Sequence, residues 1–169
     1  MKTLLAALAI AIGVCAAAPA FAVDPALTIE ANQKYLEENA KKKGVIVRPS
    51  GLQFRIIQNG YGKRPASTDS VTVYYTGTLI NHVIFDGTSP GLPATMKVNQ
   101  VIPGWIEALQ LMREGDHWLL TIPSNLGYGE RGSPPTIRPN NTLIFQVELL
   151  DIVKPGAAPG AGAAVAPKK

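Results

Sequence analysis

Side chains able to make or break bonds are few. His82 and His117 are the only histidines and Cys15 the only cysteine, and no His, Cys or acid cluster has metal-ligand spacing. No serine sits in a G-x-S-x-G turn, and Gly127-Tyr128-Gly129 lacks the lysine of a phosphate-cradling loop. His82 falls in an exposed hairpin turn and His117 opens a strand, where a surface or cross-strand role suits it. Abundant instead are aromatic and aliphatic residues beside turns: Tyr75, Phe85-Asp86, Val101-Ile102, Trp105, Tyr128 and Phe145. Singly, each reads as core. In VIPGW, residues 101–105, however, a proline and a glycine bring the largest apolar side chain to a helix mouth. The chemistry open to such a set is binding in an apolar cavity with a few polar groups, not attack by a nucleophile.

The elements that must position these residues follow from periodicity. Trp105, Ala108, Leu109 and Met112 recur at i, i+3, i+4 and i+7, and Gly115 closes the segment, which predicts one short helix. Around it, Leu52–Ile56, Val71–Thr76, His117–Ile122 and Leu143–Leu149 are rich in strand formers. Turn clusters separate them at Asn59–Gly62, Thr88–Gly91 and Gly132–Pro135. The expected class is α+β, an antiparallel sheet with one face covered by the short helix. A further helix is predicted from Pro25 to Lys43, opened by Asp24-Pro25 and closed by three lysines and Gly44. Glu30–Lys34, Glu37–Lys41 and Glu38–Lys42 have i,i+4 spacing with the acid first. The narrow stripe of Ile29, Leu36 and Ala40, with Tyr35 beside it, suits a helix that leans on the main domain or pairs weakly with another copy, and leaning is the expectation preferred here.

Composition sets the class and the compartment. With 46% hydrophobic and 17% charged residues, the 169-residue chain suits one compact domain with appendages. A net charge of +4, with no stripe of arginines and aromatics, argues against a nucleic-acid partner. Lys2, the apolar run Leu4–Ala18 and Ala20-Phe21-Ala22 form a secretory signal cut after Ala22, so a periplasmic or secreted protein without stable membrane insertion is expected. Lipidation at Cys15 is disfavoured by Val14, and a mature chain from Val23 holds no cysteine. The expected organisation is a signal over 1–22, a helix over 23–44, a domain over 45–153 and a disordered Pro/Ala/Gly tail over 154–169.

Six segments in series resemble the FKBP-type peptidyl-prolyl isomerases, in particular their secreted bacterial branch of the macrophage infectivity potentiator type. They are SGLQF (50–54), VTVYYTG (71–77), IFDGT (84–88), QVIPGWIEALQLM (100–112), PSNLGYGERG (123–132) and NTLIFQVELLDI (141–152). The resemblance implies a twisted antiparallel sheet wrapped around one short helix, with the pocket between them and Trp105 as its floor. It implies acceleration of Xaa-Pro bond rotation without cofactor or metal, acting on proline-containing unfolded or nascent polypeptides. Trp105, Phe85, Val101 and Phe145 would hold the prolyl ring, with Tyr75 also lining the pocket. The Tyr128 hydroxyl and the Ile102 N–H would donate to substrate carbonyls, and Asp86 would accept from Tyr75 or the substrate. Macrolides are the inhibitors it implies, although Ala94-Thr95-Met96 and Ser133 stand where drug-binding members carry aromatics and a histidine. Relatives dimerise through a long helical arm, so the single helix here implies a monomer or weak homodimer. The alternative function is a non-catalytic proline-peptide binding or chaperone module.

Overall fold

The computed structural model describes residues 24–153; the signal segment and the tail lie outside the described residues. Seven strands form one antiparallel sheet: β1 (Val45–Val47), β2 (Gln53–Gln58), β3 (Ser70–Leu79), β4 (Ile84–Gly87), β5 (Ala94–Lys97), β6 (His117–Ile122) and β7 (Leu143–Val153). Their order is β1-β2-β6-β7-β3-β4, with β5 also paired to β3. The short helix α2 (Pro103–Leu111) covers one face, so the α+β architecture expected from the sequence is the one observed.

Alternation of side chains places the core. Along β3 the residues Val71, Val73, Tyr75, Gly77 and Leu79 turn inward, and along β7 Leu143, Phe145, Val147 and Leu149 do the same. Trp118, Leu120 and Ile122 of β6 complete that surface. Onto it α2 lays Trp105, Ala108 and Leu109, all fully buried. A side chain at Gly104 would meet Ile122 Cγ2 at 2.6 Å, so glycine there lets the helix start sit close on β6. Met112 is extended, and its N–H still bonds the Ala108 carbonyl. Gly115 lies in the following turn at φ 87°.

The N-terminal helix departs from its sequence reading. Asp24 caps only a 3-10 turn over Pro25–Leu27, and the chain straightens at Thr28, whose hydroxyl accepts from the Ala31 N–H and starts α1 (Ile29–Ala40) afresh. Lys41 to Lys43 lie beyond the helix. The acid-first pairs do not form; the ion pair on the helix is Lys34–Glu38 at 3.8 Å. The helix leans on the domain as expected, with Tyr35, Leu36 and Ala40 half-buried, but the residues buried deepest are Asn32 and Asn39, while Ile29 is exposed. Asn39 Nδ2 donates to Gln53 Oε1 (2.9 Å) and Thr121 Oγ1 (3.3 Å), and Gln53 Nε2 donates to the Leu36 carbonyl (3.0 Å). Gln53 and Thr121 are cross-strand partners pointing away from the α2 side, so α1 lies on the opposite face of the sheet.

Candidate active site

The site is built at the end of the sheet where β3, β4 and β7 meet the first turn of α2. Pro103 occupies the first helical position, where its fixed φ suits the turn and its missing N–H costs nothing. Trp105 therefore faces the sheet from the helix mouth. Its indole meets Phe145 edge-on at 5.2 Å and 90°, and Tyr75 edge-on at 5.3 Å and 85°. Phe145 in turn meets Phe85 at 5.4 Å and 87°. These are perpendicular edge-to-face pairs, the arrangement that aromatic quadrupoles favour. The floor is closed off: Val101, Ile102, Trp105 and Phe145 are completely buried and Tyr75 nearly so. The indole N–H has no acceptor among the described residues, and neither has that of Trp118 outside the site.

Two consecutive residues of β4, Phe85 and Asp86, both reach the same aromatic cluster, Phe85 through Phe145 and Asp86 through Tyr75, which a regular strand forbids because neighbours alternate faces. A bulge solves this. Asp86 pairs with Gly77 and Ile84 with Thr78, leaving Phe85 as the extra residue, its ring turned onto Phe145. Gly77, which sequence reading did not single out, makes the space: a Cβ there would lie 2.7 Å from Phe145 and 2.8 Å from Phe85. A glycine inside a strand is itself the signal of such close approach.

The polar groups are few and mostly committed. Tyr75 donates to Asp86 Oδ2 at 2.9 Å, and the Gly87 N–H donates to Asp86 Oδ1 at 2.8 Å. Burial, then the hydrogen bond and charge of Asp86, push the Tyr75 hydroxyl far above its ordinary value, so it stays a donor. Tyr128, half-buried at the rim, is pushed up to about 12 by burial first and the Asp86 charge second. The Ile102 carbonyl accepts from Trp105 and Ile106 (2.9 and 3.1 Å), while its N–H makes no hydrogen bond among the described residues. Ile102 is the N-cap and offers no side-chain acceptor, so the start of α2 keeps free donors. Thus Tyr75, Phe85, Asp86, Val101, Ile102, Trp105, Tyr128 and Phe145 come together at one end of the sheet. His82 lies outside this set, exposed at φ 65° in the β3–β4 turn, and His117 pairs across strands with Gln146 at 2.8 Å.

Against known families, residues 62–150 match the FKBP-type peptidyl-prolyl cis-trans isomerase domain, more than half of the chain. The chain belongs to that family. Residues 20–56 match the domain amino terminal to FKBP-type peptidyl-prolyl isomerase. The FKBP-type 22 kDa peptidyl-prolyl cis-trans isomerase of Escherichia coli is 59% identical over 121 residues, which is 71% of this chain and 59% of that protein. The outer membrane protein MIP of Legionella longbeachae is 50% identical over 71% of this chain and 52% of its own. Among solved structures, a peptidyl-prolyl cis-trans isomerase from Pseudomonas syringae superposes with TM-score 0.71 at 32% identity, covering 75% of this chain and 93% of that one. FkpA from Escherichia coli gives 0.70 at 41%, covering 73% and 58%. The chain spans 48–59% of the length of the curated FKBP relatives it matches first.

Proposed function

We propose that this FKBP-family chain accelerates cis/trans rotation of Xaa-Pro bonds in unfolded or nascent polypeptides. One observation carries the reading: a completely buried indole held edge-on by two aromatic rings, beneath a rim where Phe85, Asp86 and Tyr128 remain partly open.

Rotation about the bond meets a barrier of about 18–20 kcal/mol because twisting removes amide conjugation. A twisted carbonyl is ketone-like and less solvated, so a dry aromatic cavity stabilises it relative to the planar amide. The prolyl ring would rest on Trp105 and Phe145 and against Phe85. The Tyr128 hydroxyl, protonated throughout the neutral range, and the Ile102 N–H would hold the flanking carbonyl oxygens in the twisted geometry. Asp86, engaged by Tyr75 and Gly87, has the role of fixing the rim rather than moving a proton.

The compartment proposed is the periplasm or cell exterior. The signal-like segment Lys2–Ala22 and a relative named as an outer membrane protein support this. Among the described residues no helix is long and apolar enough to cross a membrane. The proposed assembly is a monomer or weak homodimer.

Exchange NMR on an Ala-Leu-Pro-Phe peptide tests the activity. Faster cis/trans exchange with the protein present is expected. Shifted peptide resonances with an unchanged exchange rate would replace the isomerase by a proline-peptide binder.

A further inference from the structure

Two loops carry the rim of the pocket, and both leave the same end of the sheet. One is the β3–β4 turn that leads into Phe85 and Asp86. The other runs from Ile122 to Leu143 and carries Tyr128. Their roots are neighbours, because Leu79 and Ile122 both pair with Leu143. On this end sits the first part of the N-terminal segment, which touches each loop through a polar side chain.

At the β3–β4 turn, Asn81 Nδ2 donates to Asp24 Oδ2 at 2.7 Å, while Asp24 Oδ1 accepts from the Ala26 N–H at 2.9 Å. Asn81 also accepts from the Val83 N–H at 3.2 Å, so the same amide organises the turn, with His82 at φ 65° inside it. Leu27, inserted among the core residues, fixes the 3-10 turn that presents Asp24. At the second loop, the buried Asn32 accepts from the Thr142 N–H at 2.7 Å and donates to the Thr28 carbonyl at 2.8 Å. Thr142 is the last residue before β7. Tyr128 is tied to that exit, since Asn140 N–H donates to the Gly129 carbonyl (2.9 Å) and Gly132 N–H to the Tyr128 carbonyl (3.1 Å).

The chemistry of these contacts is informative. An apolar helix face would hold the segment down without fixing its register, whereas a buried amide bonded at both ends defines a position. Between the loop's exit turn and Thr142, the Asn141 amide is buried with neither its N–H groups nor its oxygen partnered among the described residues. Swinging out to water would satisfy that amide. The Asn32–Thr142 bond opposes this movement.

We infer that Asp24 and Asn32 are positioning residues of the pocket: through the β3–β4 turn and Thr142 they hold the loops bearing Phe85–Asp86 and Tyr128 at their working separation. This rests on the isomerase reading for its activity readout but not for its structural one. The test uses the full chain with Asp24→Ala, Asn32→Ala and the conservative Asn32→Asp, which keeps an acceptor for Thr142. Amide hydrogen exchange and peptide cis/trans exchange are measured where circular dichroism shows each variant folded. Asn32→Ala should speed exchange over 127–142, and Asp24→Ala over 79–87, each with about a tenfold loss of kcat/KM. Asn32→Asp, whose carboxylate keeps the acceptor but cannot donate to the Thr28 carbonyl, should recover only part of both. Loop exchange unchanged in the folded alanine variants would overturn the inference, as would faster loop exchange at full activity. An inactive wild type would instead remove the isomerase reading.

Discussion

Replacing Gly77 by alanine tests the pocket at its tightest point. The added methyl would lie 2.7 Å from Phe145 Cε1 and 2.8 and 2.9 Å from Phe85 Cζ and Cε2. Carbon atoms in contact sit roughly 3.5–4.0 Å apart, so about an ångström of movement is needed. Phe145 cannot supply it, being completely buried and wedged against Trp105 and Tyr75. Phe85 is open on its outer side and must swing outward. Overpacking of this kind costs about 1–3 kcal/mol, partly offset by the roughly 0.5–1 kcal/mol that alanine gains over glycine in a strand. A net loss of about 1–2 kcal/mol is expected by urea unfolding. Displacing the ring that closes the pocket by about an ångström should lower kcat/KM by about 10- to 100-fold, read by exchange NMR on the proline tetrapeptide. A folded Gly77→Ala protein with wild-type turnover would refute the claim that Phe85 and Phe145 share the space glycine leaves.

Three further outcomes follow from the same geometry. Tyr128→Phe should keep the fold and lose about tenfold in kcat with little change in KM, since a donor acting on the twisted carbonyl is removed; unchanged kcat would end the donor assignment. Because the folded protein holds the Tyr128 proton up to about pH 12 against an ordinary value of 10.0, this tyrosine's contribution to stability is complete below pH 10. It is lost as pH rises from there through about 12, with Tyr75 extending the loss beyond; urea midpoints against pH, with tyrosinate absorbance, check this sign. Asn39→Ala, which strips the buried Gln53 and Thr121 side chains of a partner, should cost about 1–3 kcal/mol in urea unfolding.

The legible part of the molecule was its periodic part. The long strands and α2 announce themselves because inward residues recur at the period of each element, and β6 spans the range expected for it. The edge strands β1, β4 and β5 are three or four residues long, too short for a period to show. The α1 face was read only in part: Tyr35, Leu36 and Ala40 are half-buried against the domain as expected, but its most buried residues are the hydrogen-bonding Asn32 and Asn39, and Ile29 is outside. The break at Thr28 was hidden by the better-looking Asp24-Pro25 start, although a threonine ahead of a helix is a cap signal in its own right. The residues that gather around Trp105 were named by the resemblance. The bulge that turns Phe85 and Asp86 to one side was not, because it exists only in the pairing of two strands.

The outer edge of β3 is shared rather than covered by one long strand. β5 takes Ser70 to Val73, β4 takes Thr76 to Thr78, and between them Thr88 bonds the Tyr75 backbone on both its N–H and its carbonyl. Under the proposed function the protein would be surrounded by unfolded segments able to add themselves to a bare sheet edge. Here such a segment finds only four residues before the strand ends or the ladder is interrupted, too little to hold an extended chain. The same division that brings Phe85 and Asp86 beside the aromatic cluster thereby leaves no long open ladder on this edge of β3.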